Sequence, residues 1–239
     1  TTDVLKFGEG ITSDNIELAY HYDSVLQPID TDADSHTVSI TLNGGDKLIL
    51  KDFMQESNSA AIDFFEFSNG DIWSLAEFKQ QLFTGTDESE FIGGTPFDDV
   101  ISSGKGDDSL NGYGGQDIYR FNRGDGHDTI DTSYAGRFIS DDKVIELGPD
   151  ITPDDVVLVR SPLDYRFAGY DIDSLDIYLK NSGDQLTILY YINNFSVEKN
   201  IAINFTANNE VWNLSDIYSR IQASDYNDRL EGTYLNDEL

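Results

Sequence analysis

Acidic side chains recur with a fixed spacing along the middle of the chain. Four of them stand nine residues apart: Glu90, Asp99, Asp108 and Asp117. Two positions after each acid comes a large apolar or aromatic residue: Ile92, Ile101, Leu110 and Tyr119. Carboxylates repeated in this way, together with backbone carbonyls, suit a hard cation that prefers oxygen ligands, such as calcium. The spacing therefore predicts calcium sites at the turns of these repeats.

Glycine fills much of the sequence between these acids. The stretch from Gly85 to Arg120 divides into the nonapeptides GTDESEFIG, GTPFDDVIS, SGKGDDSLN and GYGGQDIYR. Each approximates the repeat G-G-x-G-x-D-x-U-x, in which glycines form a tight turn and x-U-x forms a short strand with U inward. Gly/Asp turns in an ordinary β protein would not keep a nine-residue phase over four units. The turn glycines expected at the calcium sites are Gly94, Gly104, Gly106, Gly112, Gly114, Gly124 and Gly126.

These nonapeptides resemble the RTX, or haemolysin-type, calcium-binding repeats of secreted bacterial proteins. The resemblance implies Ca²⁺ as the cofactor and a right-handed parallel β-roll over residues 85–135. The repeats are imperfect, because Glu90 replaces the usual Asp and three glycine positions carry other residues. The phase then slips, since Asp128 follows Asp117 by eleven residues. The residues at the altered glycine positions are Glu88, Phe97 and Ser103.

The repeat length also predicts which acids share a cation. If each nonapeptide is half a coil, turns on one flank of the roll are two repeats apart. Asp99 is then expected to share calcium with Asp117. On the opposite flank, Glu90 is expected to pair with Asp108, and Asp108 with Asp128 across the slipped phase. Turn carbonyls would complete a shell of about six to eight oxygens.

The overall composition favours cations as partners. The chain has 45 Asp and Glu against 15 Lys and Arg, a formal charge of −30 over 239 residues. This charge opposes binding to nucleic acid or to an anionic membrane. A halophile's acidic surface would explain the total charge but not the spacing of the acids. The chain has no cysteine, and no apolar run is long enough to insert into a membrane.

A second repeat, with a period near 138–140 residues, relates the two ends of the chain. The segment from Val4 to Ile16 is similar to the segment from Val144 to Val156, and Trp73 and Trp212 fall at equivalent places. Each copy predicts β strands followed by one short helix, which begins at a capping box. These modules resemble the domain called haemolysin-type calcium-binding protein related.

The predicted fold is therefore mainly β, with a β-roll between two homologous modules. We assign residues 1–84 to the first module, 85–135 to the roll, 136–222 to the second module, and 223–239 to the start of another repeat block. In that last segment Asp228 and Asp237 stand where Glu90 and Asp99 stood. We expect both to bind calcium poorly here, because each lacks the turn two repeats later. The chain looks like an excerpt from something larger.

The sequence carries none of the common catalytic signatures. It has no H-E-x-x-H, no G-x-S-x-G and no phosphate-binding P-loop, and His21, His36 and His127 lie far apart. Aromatic residues could form a sugar-stacking surface, but their alternation is typical of buried strands, and we favour core packing. These aromatic residues are Phe64, Phe65, Phe67, Trp73, Phe195, Phe205 and Trp212.

The resemblance implies a non-enzymatic, calcium-binding structural module of a large secreted or surface-attached bacterial protein. Such a module would fold on binding calcium after export. One alternative is an adhesive domain that binds a glycan or another cell-surface partner, with calcium as its scaffold. Another is part of an enzyme or toxin, either a non-catalytic portion or one with an active site in the module.

Overall fold

The computed structural model describes residues 2–21, 37–42, 44–51, 53–54, 62–134, 137–138, 142–167, 170–192 and 201–223. These residues are mainly β, as predicted, and include two α-helices. The elements before the roll are β1 (Val4–Lys6), β2 (Ile16–His21), β3 (Thr37–Leu42), β4 (Lys47–Leu50), β5 (Phe64–Glu66), β6 (Ile72–Ser74) and α1 (Leu75–Leu82). The strands of the nonapeptide segment are β7 (Phe91–Gly93), β8 (Val100–Ser102), β9 (Ser109–Asn111), β10 (Asp117–Phe121) and β11 (His127–Asp131).

The remaining elements follow the nonapeptides. They are β12 (Ser133–Tyr134), β13 (Arg137–Phe138), β14 (Lys143–Leu147), β15 (Val156–Phe167), β16 (Tyr170–Leu179), β17 (Gln185–Ile192), β18 (Ile201–Phe205), β19 (Glu210–Trp212), α2 (Leu214–Arg220) and β20 (Ile221–Ala223). Short 3-10 helices, Ser13–Asn15 and Pro153–Asp155, precede β2 and β15.

Successive nonapeptide strands lie in two different sheets. Strands β7, β9 and β11 are parallel neighbours in the first roll sheet, and β8 and β10 are parallel neighbours in the second roll sheet. Ile92 is aligned with Leu110, and Ile101 with Tyr119, so aligned positions are two nonapeptides apart. Two nonapeptides therefore complete one coil. This arrangement is a parallel β-roll, and its right-handedness stays a prediction.

The apolar position of each repeat supplies the core of the roll. Ile101, Leu110, Tyr119 and Ile130 are at most 1% exposed, and Ile92 packs against them while partly buried. The x-U-x triplets are too short to bury more than this one side chain each. The roll therefore has a narrow core, and its turns contribute a large share of its structure.

The two roll sheets continue into the second module. Strand β14 lies beside β10, and β18 beside β14, all parallel; β17 is likewise parallel to β11. The hydrogen-bonded sheets therefore cross the boundary set at residue 135 from the sequence. The division into domains stays a prediction, but the second module supplies further strands to the roll.

The two modules have the same strand order and directions. In the first module β1 is parallel to β5, which is antiparallel to β6; in the second, β14, β18 and β19 repeat this pattern. Antiparallel strands β2, β3 and β4 correspond to β15, β16 and β17. Each helix begins after a capping residue, Ser74 for α1 and Asn213 for α2, whose side chain accepts backbone N–H groups.

Close contacts between stacked turns leave no room for a side chain at several glycines. A Cβ on Gly115, where φ is +96°, would lie 2.4 Å from the backbone carbon of Phe97 in the preceding coil. Gly10 has a similar φ of +86°, but a Cβ there would meet nothing within 4 Å. Gly115 is therefore required both by its positive φ and by the lack of space for a Cβ. Gly10 is required by its positive φ alone.

We therefore expect Gly115→Ala to destabilise the protein more than Gly10→Ala. The Gly10 variant loses about 1–2 kcal/mol, the cost of the left-handed conformation. The Gly115 variant loses more, roughly 3 kcal/mol or above, because the coils must also separate. Urea unfolding at one fixed calcium concentration measures both. Equal losses would show that the turns are not packed as described.

Candidate metal centre

The acids of the nonapeptides end the turns on two flanks of the roll. The first flank consists of the turns that end at Glu90, Asp108 and Asp128 and lead into the first roll sheet. The second flank consists of the turns that end at Asp99 and Asp117 and lead into the second roll sheet. Because the coils are stacked, each flank carries a ladder of acids, one per coil.

On the first flank, each acid contacts the acid of the next coil. The backbone N–H of Glu90 donates to Oδ1 of Asp108 at 2.7 Å, and the N–H of Asp108 donates to Oδ1 of Asp128 at 3.0 Å. The structure thus brings together the acids that the sequence pairs on this flank, including the pair across the slipped phase. Whether each pair holds a calcium ion stays a prediction.

On the second flank, Asp99 and Asp117 stand in the same relation. The N–H of Asp99 donates to Oδ1 of Asp117 at 3.3 Å. Oδ2 of Asp99 accepts from the N–H of Thr95 at 2.5 Å, within its own turn. Oδ2 of Asp117 instead accepts from Nζ of Lys143 at 3.1 Å. The two carboxylates of this flank therefore have different neighbours.

Four of the five ladder acids are buried, although carboxylates are normally exposed, and Glu90 is partly buried. Asp99, Asp108, Asp117 and Asp128 are 7%, 2%, 0% and 1% exposed. Oδ2 of Asp108 and Oδ2 of Asp128 are buried without a hydrogen bond of good geometry among the described residues, although the Ser103 hydroxyl lies near enough to Asp128 to lower its pKa. A buried carboxylate oxygen without a partner is costly. A divalent cation between the turns would satisfy both oxygens, so the residues of the first flank fit calcium.

Burial raises the pKa of these carboxyl groups above the ordinary value. Without a metal, it raises the pKa of Asp99 to about 6 and that of Asp128 to about 6, against the hydrogen bonds that each accepts. For Asp117, burial raises the pKa to about 7, although the Lys143 ammonium opposes this shift. The pKa of Asp108 is also raised, first by burial and then by the neighbouring Glu90 carboxylate.

Two of the predicted glycines lie directly against a ladder carboxylate. A Cβ on Gly94 would lie 2.7 Å from Oδ2 of Asp99, and a Cβ on Gly112 would lie 2.0 Å from Oδ2 of Asp117. The carboxylate thus folds back over the start of its own turn. Only glycine allows this approach, which keeps the turn backbone within reach of a cation bound to the acid.

The other predicted glycines shape the stacked turns. Gly104, Gly106 and Gly126 have φ values of +86°, +120° and +105°, and a Cβ on any of them would be within 3.0 Å of the preceding coil's backbone. Gly124 also has a positive φ, +86°, but a Cβ there would meet no neighbour. A Cβ on Gly114 would be 3.1 Å from the carbonyl oxygen of Pro96.

The acids converge in pairs and not in larger groups. Among the described residues, no three Asp, Glu or His side chains are close enough to hold a metal by themselves. A cation between two coils would therefore take its remaining ligands from turn carbonyls. The first acids of the Asp98/Asp99 and Asp107/Asp108 doublets are exposed and accept backbone N–H groups from the next coil.

Three buried charged residues beside the ladders were not among the predicted ligands. The N–H of Gly124 donates to Oδ2 of Asp184 at 2.9 Å, and the N–H of Asn122 donates to Oδ2 of Asp125 at 2.7 Å. Asp125 and Asp184 are 6% and 7% exposed, so the second module adds a further turn to the first flank. The spacing of the acids did not indicate these contacts. The third residue is Lys143.

Several predicted residues lie outside this site. Asp228, Asp237, His36 and Phe195 fall outside the described residues. The stacked pairs Phe65–Phe78 and Phe7–Phe67, and the edge-on pair Phe67–Trp73, lie within the first module. Phe65, Phe67, Phe205 and Trp212 are at most 5% exposed, whereas Phe64 is 39% exposed. Most of these described aromatics therefore pack in the core.

Comparison with known families agrees with this geometry. Residues 84–119 and 93–130 match the model of the RTX calcium-binding nonapeptide repeat, in four copies. Residues 84–130 are therefore similar to RTX calcium-binding repeats in sequence as well as in geometry. Their cofactor is Ca²⁺, as the sequence predicted. Residues 38–77 match the haemolysin-type calcium binding protein related domain. No curated protein matches the chain.

The matched residues correspond to the parts of the structure described above. The RTX match covers β7 to β10 and reaches Ile130 in β11, so it contains both acid ladders. The match to the related domain begins within β3 and ends within α1 of the first module. Neither helix within the described ranges is long and apolar enough to span a membrane.

The raised pKa values predict how pH affects the metal-free protein. A carboxyl group whose folded pKa is raised stabilises the fold fully below its unfolded pKa, near 4, and this contribution is lost as pH rises through the folded pKa. For Asp99, Asp117 and Asp128 that loss falls between about pH 4 and pH 7. We therefore expect the melting temperature in EDTA to be higher at pH 5 than at pH 8.

Calcium should reverse this trend, because it binds the deprotonated carboxylates. With millimolar calcium, the melting temperature should be higher at pH 8 than at pH 5. Thermal melts in four buffers, at both pH values with calcium or EDTA, measure the effect. A pH dependence of the same sign with and without calcium would contradict it.

Proposed function

We propose that this chain is a non-enzymatic folding module whose roll forms when calcium binds between its coils. The module would belong to a large bacterial protein that is secreted or attached to the cell surface. Calcium acts here as a structural ion and not as a catalyst. RTX repeats are generally non-catalytic structural modules, and this general behaviour supports the proposal.

The observation that carries this proposal is a pair of buried carboxylate oxygens on the first flank that lack hydrogen bonds of good geometry. Oδ2 of Asp108 and Oδ2 of Asp128 belong to acids in adjacent coils. Without a cation the fold must bury two acids that repel each other. With calcium the same two groups become ligands. The site is thus unfavourable without the metal and favourable with it.

The small core of the roll makes this electrostatic effect decisive. One inward side chain per repeat gives little hydrophobic stabilisation against the cost of ordering the turns. The net charge of −30 adds repulsion that a compact state concentrates. Binding of calcium to the folded state alone adds stability through mass action, about 2.7 kcal/mol at a hundred times the dissociation constant. Folding and calcium binding would therefore be one process.

This coupling gives a physical basis for folding after export. At low cytosolic calcium the acid ladders would keep the repeats unfolded, and an unfolded chain is suited to passage through a narrow channel. Outside the cell, calcium above the dissociation constants usual for extracellular modules, about 10⁻⁴–10⁻³ M, would fill the sites. The roll would therefore form only where enough calcium is available.

The test is to remove the first-flank acids and follow folding of the roll. We expect Asp108→Ala with Asp128→Ala to abolish protection of residues 85–131 from hydrogen exchange in millimolar calcium. The matched control is Asp14→Ala with Asp154→Ala, which removes the same charge from the exposed 3-10 turns of the two modules. The control should keep the calcium-dependent protection of the roll. A roll that is fully protected in EDTA in the unsubstituted chain would refute calcium-controlled folding.

Tryptophan fluorescence can separate the two modules in the same experiment. Trp73 belongs to the sheet of β1, β5 and β6, whereas Trp212 lies on β19, in the sheet that contains the roll strands β8 and β10. With Trp212→Phe, the emission of Trp73 should change little when calcium is removed. With Trp73→Phe, the emission of Trp212 should respond, because its sheet loses strands at one edge. Equal responses would show that both modules unfold with the roll.

A further inference from the structure

The acid ladders of the two flanks end differently where they reach the second module. On the first flank, the strand position aligned with Asp128 in the next coil is Leu186. On the second flank, the position aligned with Asp117 is Lys143. The first ladder thus meets an apolar residue at the aligned position, although the turn just before it carries the buried acid Asp184. The other ends in a cation that belongs to the protein.

The contact at the end of the second flank is a buried ion pair. Nζ of Lys143 lies 3.1 Å from Oδ2 of Asp117, and these side chains are 4% and 0% exposed. The ammonium also lies 6.0 Å from the centre of the Tyr119 ring, at the edge of cation–π range. Burial of a lysine is costly unless its charge is compensated. Here the Asp117 carboxylate compensates the charge of the lysine, at the place where Asp117 faces the next coil.

We propose that the Lys143 ammonium is a built-in cation that closes the second flank in place of a calcium ion. It would neutralise Asp117 on the side that faces β14, and so end the calcium ladder there. Calcium would then be confined to the first flank and to the interval between Asp99 and Asp117. This inference rests on the proposed function, because it concerns which acid intervals the metal fills.

The first module indicates that the lysine is not needed for the module fold itself. Val4 corresponds to Val144 in the long repeat, so Asp3 stands at the place of Lys143. Strand β1 nevertheless pairs with β5 as β14 pairs with β18. Asp3 is exposed, whereas Lys143 is buried against the roll. The lysine therefore matches the presence of Asp117 and not a requirement of the strand.

The test compares Lys143→Met with the matched variant Lys105→Met. Lys105 also forms an ion pair within the roll, with Asp87, but both side chains are exposed, at 63% and 73%. We expect Lys143→Met to melt at a lower temperature than the unsubstituted chain in EDTA, and to gain more from calcium. Calorimetric titration should show one more bound calcium per chain. Lys105→Met should behave as the unsubstituted chain does.

The outcomes distinguish this inference from the proposed function. If the unsubstituted chain gains no stability from calcium, the proposed function fails. If it gains stability and Lys143→Met gains the same amount with the same stoichiometry, Lys143 is only a structural partner of Asp117, and this inference alone is overturned.

A second variant covers the case in which Lys143→Met does not fold in EDTA. Asp117→Asn with Lys143→Met removes both charges and should fold with fewer bound calcium ions than Lys143→Met in calcium. Recovery of Lys143→Met in millimolar calcium supports a calcium ion in place of the ammonium. Failure to recover, while the double variant folds, would overturn it.

Discussion

The structure depends on the stacking of buried carboxylates one coil apart. In a parallel roll, residues at the same position of alternate nonapeptides lie directly above one another. A constant spacing along the chain therefore produces a column of equivalent side chains. For the apolar position this column is a core, because apolar side chains attract. At the acid position the column consists of like charges, and it is stable only when a counter-charge lies between successive acids. The turns and their glycines bring the acids together, and the cation supplies the counter-charge.

The chain meets this requirement in two ways. On the first flank, the proposed function assigns the counter-charge of Asp108 and Asp128 to a calcium ion. At the end of the second flank, Lys143 supplies it from the protein. The difference is functional, because a metal can be withheld and a lysine cannot. In the proposed scheme, the lysine fixes one end of the roll, and the calcium-dependent coils extend from that end.

The second module is therefore more than a neighbour of the roll. Its strands β14 and β17 continue the two roll sheets, and Asp184 contacts the turn at Gly124. Through these contacts the last coil stacks against the second module. Stacked repeats need such an end, since each coil is stabilised by its neighbours. The first module has the same strand order, so the strands on the two sides of the nonapeptide segment are arranged alike.

The sequence by itself determined the repeat, the cation and the pairing of acids. Given half a coil per nonapeptide, as the resemblance to RTX repeats implies, the nine-residue period places Ile101 over Tyr119 and Asp99 over Asp117. Only the tertiary structure decided what lies beyond the last repeat. Lys143 and Asp184 are 26 and 60 residues from the groups that they contact, and neither belongs to the period. Both contacts arise from strand pairing between segments that the nine-residue repeat does not relate. Such pairing cannot be predicted from local spacing.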